Sequence, residues 1–401
     1  MKKHVYTAYC PNILVESPVM LPSVKVGVLD ILERLQNRGL CTVFFMKTFE
    51  ITKNDILLCD ILITVRGCES MSLEIARAAK KMSRFIIYYL DDDLLNLPKT
   101  AISSEFYSRE SNRSNLIKLI GLSDILWSNN DKIINKYSKY GNNIRCVRND
   151  TIAKKLISHN RETEGLTKIL YAGSVDHSFL VRKYVLPAIK KIVSEYKDSV
   201  EVTFIGIDLK NDDFSRIKTF EFIDDYEEYK EIVNNGNYDI GLATISTSEF
   251  FQCKYYNKFI EYTSIGAVGV YTNSFPYKSI VNSGVNGILV ENSVDSWYEG
   301  IKLLIDYPSN RAQCLESAQK EIEEHFNEDY ILNYIEKQIP EFISYKVNNN
   351  NYLFRAVHLC NGRWVYAKQR LNDYWRKNKL LFVPNVLAAG FKILKKKSRG
   401  R

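Results

Sequence analysis

The sequence predicts an α/β protein built as two doubly wound parallel sheets in tandem. Near-continuous apolar runs of strand length, DILITVR at 60–66, RFIIYYL at 84–90 and ILWSN at 125–129, alternate with segments of helical spacing. Strands that are apolar on both faces belong to a parallel sheet covered by helices on either side. The alternation restarts with KILYAGS at 168–174, VEVTFIGI at 200–207 and YDIGLATI at 238–245. The length of 401 residues is too long for one ordinary small domain and suits two of roughly 150–200 residues each.

In chain order, VGVLDILERLQNRG at 26–39 has amphipathic helical spacing and ends at Gly39, and CTVFFM at 41–46 follows as a strand. SLEIARAAKKM at 72–82 is helical between the first two apolar runs, and DKIINKYSKYG at 131–141 is a helix closed by Gly141. In the second half FLVRKYVLPAIKKIVSEY at 179–196, DDYEEYKEIVNNG at 224–236 and NKFIEYTSIG at 257–266 are helices. AVGVYT at 267–272 is a strand, and NGILVE at 286–291 a short one after a turn. DSWYEGIKLLID at 295–306 and NRAQCLESAQKEIEEHF at 310–326 finish as helices. The join falls in NDTIAKKLISHNRETEG at 149–165, which sets domains at 1–155 and 165–330, and NNNN at 348–351 marks a break before a helical extension over 345–401. Two such domains facing each other leave a cleft where the carboxyl ends of both sheets meet.

Composition narrows the class. Apolar residues are 45% and charged residues 25% of the chain, which suits an ordered globular protein. No run approaches the length of a transmembrane helix, and the start MKKHVYTAYCPN lacks the apolar core of a secretion signal. The eight cysteines are scattered without CxxC spacing, so they are expected to be reduced thiols of a cytosolic protein with no metal cluster. The net charge of +8 is uneven: residues 345–401 hold fourteen Lys/Arg against Asp373 alone, leaving 41 Lys/Arg against 46 Asp/Glu in the body.

The chemistry concentrates in FFQCKYYNKFIEYTSIGAVGVYT at 250–272. Lys254 and Lys258 stand four residues apart and Glu261 three further on, which puts the groups on one face of a helix or of the loop entering it. A lysine pair beside the N–H groups of a helix start suits a diphosphate, and a carboxylate suits a ribose diol. Such a pattern alone also describes an ordinary solvated helix face. The turn after KILYAG adds Gly173, which lets backbone approach a phosphate, and Ser174, a hydroxyl donor. His177 follows, with Arg182 and Lys183 on the next helix.

KILYAGSVDHSFL, YDIGLATIS, CKYYNKFIEYTSIGAVGVYT and SGVNGILVENSVDSWYEGI, in that order and spacing over 168–305, resemble successive motifs of bacterial glycosyltransferases of the GT-B fold, of the "group 1" type found in surface-polysaccharide assembly. The first half matches less closely, through YYLDDDLLNLP and ILWSNNDKIINKYSKYGNNIRCVRND. The resemblance implies that Glu261 binds ribose, that Lys258 contacts phosphate, and that His177 takes the histidine position of a Gly-Ser-x-x-His arrangement. It implies a nucleotide-diphosphate sugar as donor, no cofactor or metal, and retention of anomeric configuration. Many relatives carry a second glutamate where this chain has Cys253, which puts in doubt a second carboxylate near the donor sugar.

Asp91, Asp92 and Asp93 directly follow an apolar run, at the sheet end where ligands bind. Neighbours alternate in an extended chain, so the three acids cannot all face one way. They suit a base or orienter for an acceptor hydroxyl, or turn-capping; Arg66, after DILITV, is a further candidate for a phosphate. The basic extension, with Trp364, Trp375 and Phe391, suits an anionic membrane surface, and no nucleic-acid motif accompanies its charge. The expectation is a cytoplasmic glycosyltransferase, peripheral on the inner membrane face, acting on a glycan or polyprenyl-linked acceptor. The alternatives are a catalytically silent scaffold subunit and a CDP-linked polyol-phosphate transferase. The latter calls for a histidine pair, which His4, His159, His177, His325 and His358 do not form in sequence.

Overall fold

The structure, a computed structural model, describes residues 10–99, 101, 103–154, 156–157, 165–173, 177–207, 209, 217–223, 225–347, 359 and 362. The first sheet comprises β1 (Asn12–Ser17), β2 (Thr42–Lys47), β3 (Ile61–Val65), β4 (Phe85–Tyr89), β5 (Ile125–Ser128) and β6 (Arg145–Arg148). Its order is β2-β1-β3-β4-β5-β6, and every pairing is parallel. The second comprises β7 (Thr167–Ala172), β8 (Val200–Ile205), β9 (Ile217–Phe220), β10 (Ile240–Ala243), β11 (Val268–Thr272) and β12 (Ile288–Val290). Its order, β12-β11-β10-β7-β8-β9, is again wholly parallel. Both orders reverse direction beside the first strand, at β1/β3 and at β7/β10, and a crevice opens at such a switch point.

Alternation explains the layers. In β3 and β4, Leu62 and Ile86 face one core, while Ile61, Ile63 and Ile87 face another, and all five are fully buried. Helix Ser70–Lys81 covers the first face with Met71, Ile75 and Ala79, and helix Asp30–Asn37 covers the second with Ile31, Leu32 and Leu35. The long helix expected at 26–39 is broken in form: a wider π-type turn over Lys25–Leu29 precedes the α-helix. The helix after β7 begins the same way, with a π-type turn over Val181–Val185.

The C-terminal helices depart from a simple tandem. Pro308–His325 packs on the second unit through Ala318 and Ile322, but Glu328–Gln338 and Glu341–Ser344 return to the first. There Ile331, Leu332, Ile335, Ile339 and Phe342 complete the core that includes Trp127 and Val147, and the Phe342 and Trp127 rings lie 5.8 Å apart. The packing continues past 345: the Tyr345 hydroxyl donates to Ser83 O at 3.1 Å, and the Val347 N–H to Asp60 Oδ1 at 3.2 Å. Apart from these residues, Lys346, Leu359 and Gly362, the basic extension lies outside the described residues. The chain thus passes between the units twice, and the two passages touch: the Ala153 N–H donates to Phe326 O at 2.8 Å.

Candidate functional site

A cleft of about 560 Å³ separates the carboxyl ends of the two sheets. The first unit contributes Gly27, Arg66, Asp91, Asp92 and Asn129, and the second contributes Gly173, Gly206, Lys254, Asn257, Lys258 and Glu261. Seven residues named from sequence therefore meet there: Arg66, Asp91 and Asp92 from the first unit, and Gly173, Lys254, Lys258 and Glu261 from the second.

Lys258 occupies the first turn of helix Asn257–Ser264, whose start has no side-chain cap. Uncapped first-turn N–H groups and the helix dipole favour an anion there. Lys258 Nζ donates to Glu261 Oε2 at 2.6 Å and to the Tyr229 hydroxyl at 2.8 Å, and that hydroxyl donates in turn to Glu261 Oε1. Burial pushes the Glu261 carboxyl up, but the Lys258 charge and its hydrogen bond, with Tyr229, outweigh it and hold the group below the usual carboxylate value. A carboxylate has about four lone-pair sites, so Glu261 keeps acceptor capacity for a diol. Tyr229 stands on helix Tyr226–Asn235 and was not singled out in sequence; an isolated tyrosine thirty-odd residues away carries no local signal.

Lys254 does not share a face with Lys258. It lies in the loop before the helix, and its Nζ reaches across the cleft to Asp92 Oδ1 at 2.7 Å. Asp92 Oδ2 also accepts from Arg66 Nη2 at 2.7 Å, while Arg66 Nε donates to Asp91 Oδ1 at 2.5 Å. Arg66 follows β3 with φ of +54°, a strained value for a side-chain-bearing residue. Burial raises the Asp92 carboxyl, yet Arg66 and Lys254 together hold it below its ordinary value. Asp93 turns the other way and lines no part of the cleft. It is fully buried and accepts from Tyr137 Oη at 2.6 Å, Lys136 Nζ at 2.5 Å and Asn96 Nδ2 at 2.9 Å.

The loop carrying Lys254 is fastened to the first unit. Asn130 Nδ2 donates to Lys254 O at 2.8 Å, Lys132 Nζ to Gln252 Oε1 at 2.7 Å, and Lys136 Nζ to Glu249 Oε1 at 2.6 Å. Cys253, at the position where the resemblance would place a second glutamate, is buried in the first unit's core beside Leu94 and Tyr137. A carboxylate there would have to be desolvated, so the thiol fits a packing site. Behind the loop, Asp150 accepts from Tyr255 Oη at 2.8 Å, Tyr256 Oη at 2.5 Å and Arg148 Nη2 at 2.7 Å.

Gly173 and Gly206 form the floor under the second sheet. Gly206 has φ of +85°, and a Cβ on it would lie 1.9 Å from Gly173 O, so both the conformation and the close approach of two backbones require glycine. His177 is half-buried with its ring against Phe251 and is not a cleft-lining residue. Burial, followed by the charges of Lys254 and Lys258, lowers its pKa to about 4, so the imidazole is neutral near pH 7. Ser174 lies outside the described residues.

No protein-family model matches the chain, and no curated protein matches it in sequence. Solved structures do match in fold. The Anabaena protein Alr3699/HepE, solved with UDP-glucose, aligns with TM-score 0.58 at 14% identity, over 82% of this chain and 100% of that one. A glycosyltransferase from Rickettsia africae aligns at 0.57 and 13% identity, covering 85% and 100%. A Listeria monocytogenes protein assigned as a UDP-N-acetylglucosamine 2-epimerase aligns at 0.53 and 12%, covering 83% and 96%. Two wholly parallel sheets with facing carboxyl ends, and this likeness, make the architecture GT-B.

Proposed function

We propose that the chain is a glycosyltransferase that takes a sugar from a nucleoside-diphosphate donor held on the second unit and passes it to an acceptor held against the first. The observation that carries this reading is the convergence of Lys258, Glu261, Lys254 and Gly173 with Asp91, Asp92 and Arg66 on one cleft between two sheet ends. Alr3699/HepE was solved with UDP-glucose, and the fold likeness makes that chemistry the natural candidate for this cleft. In this reading the ribose hydroxyls donate to Glu261, and the diphosphate lies over the start of helix Asn257–Ser264 beside the lysines. Transfer builds negative charge on the leaving diphosphate and oxocarbenium character on the sugar. Preplaced cations and backbone dipoles stabilise the first, and positioning supplies much of the remainder.

Asp91 and Asp92 then stand on the acceptor side. Retention of configuration, operation without a metal, and a lipid-linked glycan acceptor met at the inner membrane face belong to the same proposal. So do the domain limits 1–155 and 165–330 and membrane contact by the extension over 345–401. No helix among the described residues is long and apolar enough to cross a membrane.

Titration calorimetry with UDP, GDP and TDP tests the reading. One of them should bind saturably, and Glu261→Ala should weaken it roughly tenfold to a hundredfold, the worth of hydrogen bonds to a charged acceptor. Release of sugar from the matching nucleotide sugar separates an enzyme from a silent scaffold. Failure of every nucleoside diphosphate to bind overturns the proposal.

A further inference from the structure

The three cations best placed for a diphosphate each already hold a carboxylate: Lys258 holds Glu261, Lys254 holds Asp92, and Arg66 holds both Asp91 and Asp92. An incoming diphosphate brings at least two negative charges and competes with these carboxylates for the cations. The three are not equally free to move. Arg66 is clamped by two carboxylates, on backbone fixed by its own N–H to Tyr89 O at 3.0 Å. Lys258 is tied within its own unit to Glu261 and Tyr229.

Lys254 differs. Its side chain is 31% exposed, and a single carboxylate oxygen of Asp92 holds its ammonium. Its backbone is anchored by Asn130 and by its own N–H to Phe251 O at 3.1 Å, and its ammonium lies 4.9 Å from the centre of the Phe250 ring. A swing of the ammonium therefore requires only side-chain torsions and no parting of the two units.

Building on the transferase reading above, we propose that Asp92 and the donor's diphosphate compete for Lys254. Donor binding draws the ammonium out of the acid cluster and leaves one oxygen of Asp92 open on the acceptor side of the cleft. Arg66 stays behind and keeps the carboxylate oriented. Binding is then ordered: the oxygen that can accept a hydrogen bond from an acceptor hydroxyl becomes available only once the donor is in place. Asp92 also acts as a stand-in anion that offsets the Lys254 charge before the donor arrives, at a cost to donor affinity.

The test is calorimetric titration of UDP, GDP or TDP, whichever binds, into the full chain, its Asp92→Asn and Lys254→Gln variants, and the double variant. Asparagine keeps an oxygen for Arg66, whose link to Asp91 is untouched. Asp92→Asn should bind the nucleotide about tenfold tighter, because Lys254 no longer has to leave a carboxylate. Lys254→Gln should bind it about tenfold more weakly, and the double variant should match Lys254→Gln, the gain having vanished. Unchanged or weaker binding by Asp92→Asn, at a melting temperature equal to that of the unaltered chain, overturns the competition; so does a gain that persists in the double variant. Should Asp92→Asn fail to fold, Asp92→Ser replaces it with the same expectations. Absence of nucleotide binding to the unaltered chain overturns the transferase reading itself. Binding without the Asp92→Asn gain overturns only the competition.

Discussion

Glu16 ends no ion pair and lines no cleft, yet it sits fully buried near the carboxyl end of β1. Its Oε1 accepts from Thr48 and, at 2.8 Å, from Ser72, while Oε2 lacks a hydrogen-bond partner. Burial, outweighing the Thr48 and Ser72 hydrogen bonds, raises its pKa from 4.5 to about 7. The folded chain therefore holds this proton more tightly than the unfolded one. The resulting stability is fully present below pH 4.5 and is lost as pH rises through 7, a span worth about 3 kcal/mol. Glu16→Gln should raise the thermal midpoint at pH 8 and change it little at pH 5, which calorimetry at the two values would show. Gly206→Ala should act by steric force: a methyl 1.9 Å from a carbonyl oxygen, on a backbone with φ of +85°, predicts a loss of about 2–4 kcal/mol in urea denaturation. At this scale the sequence exposed what is local. The spacing of Lys258 and Glu261 by one helical turn is readable by eye, and the structure joins them in a direct ion pair. The partnership of Lys254 with Asp92 is set by how two separate sheets face each other, and no window of sequence contains it.

The loop and short helix around Glu249–Gln252 show how an element of one unit is held by the other. Asp150 is a further tie between the units, accepting from Arg148 and from the hydroxyls of Tyr255 and Tyr256. Asp150→Ala would leave the hydroxyls of the buried Tyr255 and Tyr256 and the partly exposed Arg148 guanidinium without this acceptor, a loss of about 3 kcal/mol. A lowered urea midpoint, together with weaker nucleotide binding through the displaced Lys254 loop, is the expected outcome. The sequence made most central strands and helices legible, because buried parallel strands are uniformly apolar and their covering helices are amphipathic. It did not reveal β1, β6 or β9. NILVES is interrupted by the buried Glu16, while RCVR and IKTF are edge strands whose residues are largely exposed and carry no apolar run. The helices at Glu328–Gln338 and Glu341–Ser344 were not read from the sequence either, and an amphipathic helix does not announce which core it covers.

Across the whole molecule, the returning helices make the first unit depend on the last part of the described chain. Phe342 is fully buried against Trp127, and Phe342→Ala should cost about 3–5 kcal/mol, read as a lower midpoint for unfolding of the entire protein if the two units melt together. The acid groups of the cleft set a second global trend. Asp92 and Glu261 are held below their ordinary values, so their stabilisation is present above the unfolded carboxylate range and is lost only as pH falls below it. Glu16 works in the opposite sense at milder acidity, and the stability optimum should therefore lie on the slightly acid side of neutrality. The bond between Ala153 and Phe326 has a consequence of its own. A pair of bodies pinned at two adjacent covalent spans can swing along an arc about that seam but cannot slide or spin freely. Displacement along such an arc grows with distance from the pin, so a given few degrees of closing would barely alter the floor beside the seam while sweeping the far lips through several times that travel.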